Sequence, residues 1–357
     1  MQAWLLPAFT GIPSLRLAEV PDPTPAPGQI VLNVNFASLN PADAYLAVGQ
    51  YPAQPPFPHI LGRDGVGTVV GLPDNAKIAP QDPFGAHQTE ICAKNSGLFP
   101  PNSGQIKIGD VRIILRSEAG VTRPGTLAQK VAIDPASTVP VPPGWSLEQA
   151  AAAPLVYVTA WQALTQWGDL PPNAIILVTG ASGGVGTATL QLAHALGHRL
   201  VALSRGTSKV QQLQALGANW VYDPTDPNWR DKLKTALGNE HVNLAIDNIG
   251  GENFNRVIDV MSYQGCISIV GRLAGPVPNF NTAALLFRRL KIGGVAVGTY
   301  TNPESHKAWS NVLQTLARTN ARPLIDHIFD FTQVPQAFAR LAQGPIGKVL
   351  VRINSCQ

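Results

Sequence analysis

Charge is in short supply in this chain. Asp, Glu, Lys and Arg make up 13% of its 357 residues, against 45% hydrophobic. Such a balance excludes intrinsic disorder and provides for a large core. The length exceeds one ordinary core, so two domains are expected. Cysteine is scarcer still. Cys92, Cys266 and Cys356 are far apart and odd in number, which argues against a disulfide framework and suits a reducing, cytoplasmic compartment. A structural zinc lobe, which needs four closely spaced thiolates, is excluded as well. There is no basic run: the net charge of +4 is scattered, which speaks against nucleic acid and only weakly for a small anionic ligand. No long hydrophobic run appears either. The most apolar stretch, Leu147 to Leu164, holds Glu148, Gln149 and Pro154, and reads as a buried helix, not a membrane span. The first nine residues lack a positive region and meet Pro7 early, unlike a signal peptide. No fixed-period repeat is visible, which excludes a solenoid.

Proline and glycine are what the chain has in plenty. Up to about Trp145 they punctuate short strand-like runs at Ile30–Phe36, Gly65–Val70 and Val111–Leu115, so this part is expected to be β-rich. The polar segment Pro73–Lys107 reads as a long loop beside the site. From Leu147 to about Gly298 the character changes to alternating strands and helices. Strands are expected at Ile175–Thr179, Leu200–Leu203, Trp220–Tyr222, Leu244–Asp247, Cys266–Val270 and Ile292–Val297. Helices are expected at Gly186–Leu196, Lys209–Leu216, Trp229–Leu237 and Asn253–Met261. Such alternation means a parallel doubly wound sheet. The tail, Ile325–Ile353, reads as strand, helix (Val334–Leu341), strand, able to pack back on the first domain.

The strand Ile175–Thr179 runs into Gly180-Ala181-Ser182-Gly183-Gly184-Val185-Gly186 and then a helix. Glycines permit a tight turn and close approach of backbone to a pyrophosphate, and the helix N-terminus offers free N–H groups to its charge. Gly186 and Ala188 suit close packing of helix on strand. An ordinary glycine-rich turn is the alternative, and the strand before with βα units after weighs against it. NAD or NADP is read at the end of the next strand. There the chain runs Ser204-Arg205-Gly206-Thr207-Ser208-Lys209, without a carboxylate for ribose hydroxyls. Ser204, Arg205 and Lys209 suit a 2′-phosphate, so NADPH is the expected cofactor. The alternative is a solvated helix start, although a Lys early in a helix opposes the dipole.

At this point the chain resembles the medium-chain dehydrogenase/reductase superfamily, in its zinc-free, zeta-crystallin-like quinone oxidoreductase branch. The resemblance covers nearly the whole chain. It rests on Asn40-Pro41-Ala42-Asp43-Ala44-Tyr45, Gly49-Gln50-Tyr51-Pro52, Gly62-Arg63-Asp64-Gly65-Val66-Gly67, Gly109-Asp110-Val111, Ala150–Pro154 with Thr159-Ala160-Trp161, Gly183–Gly186, Asp247–Gly251, Gly271 and Gly347-Lys348-Val349. It implies an α/β fold, with a GroES-like β-rich catalytic domain (residues 1–155 and 300–357) and a Rossmann doubly wound parallel-sheet domain (156–299). It implies cofactor contacts at Thr159, Gly180, Ser182, Gly183, Gly184, Val185, Asn248, Gly271 and Lys348, beside Ser204, Arg205 and Lys209. Zinc-dependent relatives place a Cys near Asn40 and a His-Glu pair where Arg63-Asp64 stands, so no metal is expected. His87, Glu90 and Cys92 lie close in sequence but lack ligand spacing.

The implied reaction is hydride transfer from NADPH to a quinone or an α,β-unsaturated carbonyl. Positioning, donors at the developing oxyanion and one acid are then needed. Asn40, Tyr45 and Tyr51 are the catalytic candidates. Tyr51 stands where 2-enoyl thioester reductases carry their proposed proton donor, and Asn40 and Tyr45 match polar pocket residues of quinone oxidoreductases. Alternatively the two tyrosines merely pack a loop. Arg63 and Asp64 are read as a pair. A Tyr that relatives carry after the third strand falls on Pro224 here, and Tyr222 is expected to face the core. The alternatives are a 2-enoyl thioester reductase and an NADPH-binding protein with little turnover. The partner is a small-molecule electron acceptor, without nucleic acid or membrane. A homodimer is expected, paired through an apolar edge at Gly293–Gly298.

Overall fold

The computed structural model describes residues 1–72, 106–277, 279–280 and 282–354. Most of the Pro73–Lys107 segment, and with it His87, Glu90 and Cys92, lies outside the described residues.

The β-rich part forms two sheets. Strands β1 (Gln2–Leu6), β2 (Arg16–Glu19), β3 (Ile30–Ser38), β4 (His59–Ile60), β5 (Gly65–Gly71), β6 (Val111–Ile114), β7 (Lys130–Ile133) and β8 (Thr138–Pro140) pair antiparallel throughout. β2-β1-β4 make one sheet, and β3, β5, β6, β7 and β8 belong to the other. Between them, Leu6, Ile30, Leu32, Leu61, Ile114 and Leu127 form a buried cluster.

The second unit is a six-stranded parallel sheet. Its strands are β9 (Ile175–Thr179), β10 (Arg199–Leu203), β11 (Trp220–Tyr222), β12 (Val242–Asp247), β13 (Met261–Ile269) and β14 (Lys291–Gly294), in the order β11-β10-β9-β12-β13-β14. All five residues of β9 are buried, which explains its unbroken apolar run. The strand order reverses beside β9, and crevices at such switch points take ligands at the carboxyl ends of strands.

Strands β15 (Ile325–Asp330) and β16 (Lys348–Arg352) return to the first unit: β16 pairs with β3, and β15 lies parallel outside it. The tail therefore packs back as its pattern predicted. The helix Asn302–Ala317, placed with the first domain by the sequence division, packs on the helices Pro154–Thr165 and Gly184–Ala195 of the second unit. The stretch from Leu147 is two helices, Leu147–Ala152 and Pro154–Thr165, instead of one. Pro154 lacks an amide hydrogen and opens the second helix at its first turn. The run expected as a strand at Ile292–Val297 pairs only over Lys291–Gly294, and Val297–Thr299 is a 3₁₀ turn. Tyr222 is half-buried and packs against the core cluster around Trp229. No helix among the described residues is long and apolar enough to cross a membrane.

Candidate active site

The glycine turn after β9 is built by close approach. Gly180 has φ +58, and a Cβ on Gly186 would stand 2.4 Å from the Gly180 carbonyl oxygen and 2.6 Å from that of Ala181. Only glycine lets the helix Gly184–Ala195 start this near the strand. Its first amides have no acceptor within the helix. The turn is tied to the tail, because Gly347 N–H donates to Ser182 O at 2.8 Å.

Around the turn, buried polar atoms stand without partners. Ser204 Oγ, just past β10, and Asn248 Oδ1, just past β12, are buried and hydrogen-bonded to no described residue. Asn248 is held by its other atoms: its amide N–H donates to Thr179 Oγ1 and its side-chain NH₂ to Thr179 O. Asp247 Oδ1 accepts from Thr179 Oγ1 at 2.6 Å and its carboxylate from the Gly250 amide, and burial raises its pKa. A Cβ on Gly271 would meet Asn248 O at 2.6 Å, so this residue too keeps the crevice open. Orphaned polar groups and glycine clearances at one crevice fit a dinucleotide.

Lys209 is no solvated helix start. Its Nζ donates to Ser182 Oγ at 3.2 Å and to Gly344 O at 2.5 Å. Burial, then repulsion from Arg340 and Arg205, lowers its pKa. Arg205 is exposed and hydrogen-bonded to no described residue. Thr159, buried on the helix Pro154–Thr165, makes no back-bond, whereas Thr165 on the same helix donates to Trp161 O.

Facing the turn across the crevice is a buried charge cluster. Lys348 lays its stem over Gly184, where a Cβ would come within 2.7 Å of its Cδ. Its Nζ donates to Leu39 O at 2.9 Å and Asn40 Oδ1 at 2.6 Å, and lies 3.6 Å from Asp64 Oδ2. Its ammonium thus turns toward the catalytic candidates, while its stem shapes the cofactor turn. Burial pushes the Asp64 carboxyl up to about 6, against the pull of Lys348 and Asn40. Arg63 does not pair with Asp64: its Nε donates to Asp43 Oδ1 at 3.1 Å, and its guanidinium lies 4.5 Å over the Tyr51 ring. Asp43 Oδ2 in turn accepts the Asn40 amide. Asn40, Asp43, Arg63 and Tyr51 therefore form one connected chain. Tyr45 is half-buried on the helix Pro41–Ala47; burial raises its pKa, and Arg272 from the other unit opposes the rise. Arg272, Asp43 and Arg340 were not singled out from sequence. Asp43 lies inside the motif that carries Asn40 and Tyr45, and Arg272 follows Gly271; Arg340 had no nearby signal.

These donors do not fit a zinc ion. Arg63 and Lys348 already hold the Asp43 and Asp64 carboxylates, and no group of three or more His, Cys, Asp or Glu suited to a metal occurs among the described residues.

Residues 26–143 match the alcohol dehydrogenase GroES-like domain family, and residues 184–318 match the zinc-binding dehydrogenase family. The quinone oxidoreductase of Rattus norvegicus is 25% identical over 347 residues, covering 96% of this chain and 95% of that protein. Among solved structures, an NAD-dependent alcohol dehydrogenase superposes with TM-score 0.83 at 23% identity, covering 99% of this chain and all (100%) of the other. A mycobacterial protein complexed with NADPH gives TM-score 0.82 at 20% identity, with 99% and 100% covered. With its GroES-like and nucleotide-binding units in this order and its quinone oxidoreductase relatives, the chain belongs to the medium-chain dehydrogenase/reductase superfamily of oxidoreductases, in its quinone oxidoreductase-like branch.

Proposed function

We propose that this protein is a zinc-independent, NADPH-dependent reductase of quinones or α,β-unsaturated carbonyls. One observation carries the reading: the two carboxylates beside the cofactor turn are each held by a buried cation, Asp43 by Arg63 and Asp64 by Lys348. With those carboxylates taken, polarisation of the substrate falls to hydrogen-bond donors. Nicotinamide, when bound, supplies the hydride. The chain's own part is to bind, orient and protonate. Gly180, Gly183, Gly184 and Val185 admit the pyrophosphate, with Asn248, Gly271 and Thr159 lining the rest of the crevice. Ser204, Arg205 and Lys209 take the 2′-phosphate. Tyr45, a phenol protonated at neutral pH whose pKa burial raises further, donates to an oxygen that gains charge. Tyr51 is fixed for the same task by the Arg63 guanidinium over its ring.

The first test is NADPH oxidation against quinones, enones and enoyl thioesters, with metal content measured on the same sample. Turnover should survive a chelator; a need for stoichiometric zinc would overturn the reading, and binding without turnover on any acceptor would leave a nucleotide-binding protein. In parallel, Arg205→Ala should weaken NADPH roughly tenfold or more while leaving NADH unchanged, since a charge-assisted bond is lost only with the phosphate. Fluorescence titration reads both.

A further inference from the structure

The Arg63 side chain is 7% exposed, and that of its partner Asp43 is 0% exposed. A guanidinium this deep must place its donors or lose their solvation. Nε donates to Asp43 Oδ1 at 3.1 Å and Nη2 to Ala42 O at 3.4 Å. Tyr51 lies against the guanidinium as well, with its ring centroid 4.5 Å away. Burial disfavours the charge on Arg63, and Asp43 and then the Tyr51 phenol more than restore it.

Both tyrosines hang on this pair. Asp43 Oδ2 accepts the Asn40 amide at 2.9 Å and so closes the first turn of the helix Pro41–Ala47, which carries Tyr45. The segment that follows is tied to the same helix, because Gln50 N–H donates to Tyr45 O at 2.9 Å. Asp43 therefore fixes the helix with one oxygen and Arg63 with the other, and Arg63 stands on Tyr51. The two phenols differ in their surroundings. Burial raises the Tyr45 pKa, against the pull of Arg272, so this phenol suits a donor that keeps its proton. A guanidinium beside a phenol stabilises the phenolate, so Tyr51 suits a group that releases one. Asp43 offsets part of the Arg63 charge. What meets Tyr51 is one side of an oriented ion pair, not a free cation.

We propose that Arg63, held by Asp43, is the positioning residue that makes Tyr51 the proton source of the reaction, while Tyr45 only hydrogen-bonds the acceptor. The proposal rests on the reductase reading and names the acceptors it serves: those that must be protonated on carbon, the α,β-unsaturated carbonyls. After hydride addition to such an acceptor, the carbanion at its α carbon takes the phenol proton. The Tyr51 O–H bond breaks, a C–H bond forms, and the phenolate left beside Arg63 regains a proton from water. A quinone ends instead as a hydroquinone, whose oxygens exchange protons with water unaided.

The test compares NADPH oxidation by the full-length protein on trans-2-hexenal and on 1,4-naphthoquinone. A positioned acid contributes about 10²- to 10⁴-fold, so Arg63→Met, which removes the charge, should lower kcat on trans-2-hexenal roughly 10- to 100-fold and lower it far less on 1,4-naphthoquinone. NADPH affinity, read by fluorescence, should hold. Arg63→Lys returns a charge to Asp43 and should recover part of the trans-2-hexenal rate; it also guards against misfolding of the first variant. Tyr51→Phe should show the same acceptor-dependent loss, and adding Arg63→Met to it should cost little more, because both act on one proton. Equal losses on both acceptors in Arg63→Met would reduce Arg63 to a structural role and overturn the proposal, as would full activity on trans-2-hexenal. Wild-type turnover of 1,4-naphthoquinone alone would overturn it too and leave the reductase reading standing. Turnover of neither acceptor, with NADPH bound, would remove the reading and the proposal together.

Discussion

Asp64 shows what a single residue gains from its surroundings. As one letter after Arg63 it invites a local ion pair. The structure sends the two side chains apart, Arg63 to Asp43 on the helix Pro41–Ala47 and Asp64 to Lys348 on β16. Adjacent residues leave a non-helical segment in different directions, so each takes the partner that another element offers. Burial lifts the Asp64 pKa from 3.8 to about 6. Between about pH 4 and about pH 6 the folded protein holds a proton that the unfolded chain releases. Asp64 therefore favours the folded state at low pH, and that contribution is lost as pH rises through about 6. Chemical denaturation at several pH values should show this slope in wild type and lose it in Asp64→Asn. An identical slope in both would assign it elsewhere. The charge type of the Ser204–Lys209 corner was legible because it follows from residue identity alone. The partners of Lys348 were not, because they lie far away along the chain, Asn40 at 308 residues.

At the scale of elements, the βα alternation was readable because each strand buried on both faces is an unbroken apolar run and each helix has its own period. β9, β11 and the helix Trp229–Leu237 stand where the pattern predicts. The helix Asn302–Ala317 was not foreseen. Its start carried a signal, the box in which Thr301 Oγ1 accepts the Glu304 amide while Glu304 accepts the Thr301 amide. The glycine turn makes the sharpest demand. Gly186→Ala would place a methyl 2.4 Å from a carbonyl oxygen that the turn cannot move. It should cost about 1–3 kcal/mol, as overpacking does. Gly298→Ala, where a Cβ meets nothing within 4 Å, should unfold like wild type. Urea melts of the two variants side by side check the contrast; equal stability would mean that the helix start yields freely.

For the whole molecule, the open question is assembly. β14 ends the parallel sheet as an edge strand, half-exposed along its length. Just before it, Leu286 is 72% and Phe287 77% exposed. Large apolar side chains beside a free strand edge call for a cover, and a second copy across a two-fold supplies both. Light scattering should give twice 37.8 kDa for wild type and the single mass for Phe287→Asp. A monomeric wild type would reject the dimer. By itself the sequence determined the two kinds of domain, the cofactor turn and the charge type at the corner, because these follow from residue type and period over a few turns of chain. Only the tertiary structure decided which buried cation holds which carboxylate, that the link before β16 meets Ser182 and Lys209, and that β14 is left at an edge. Those outcomes depend on contacts between distant segments, and no local pattern encodes where a returning strand will lie.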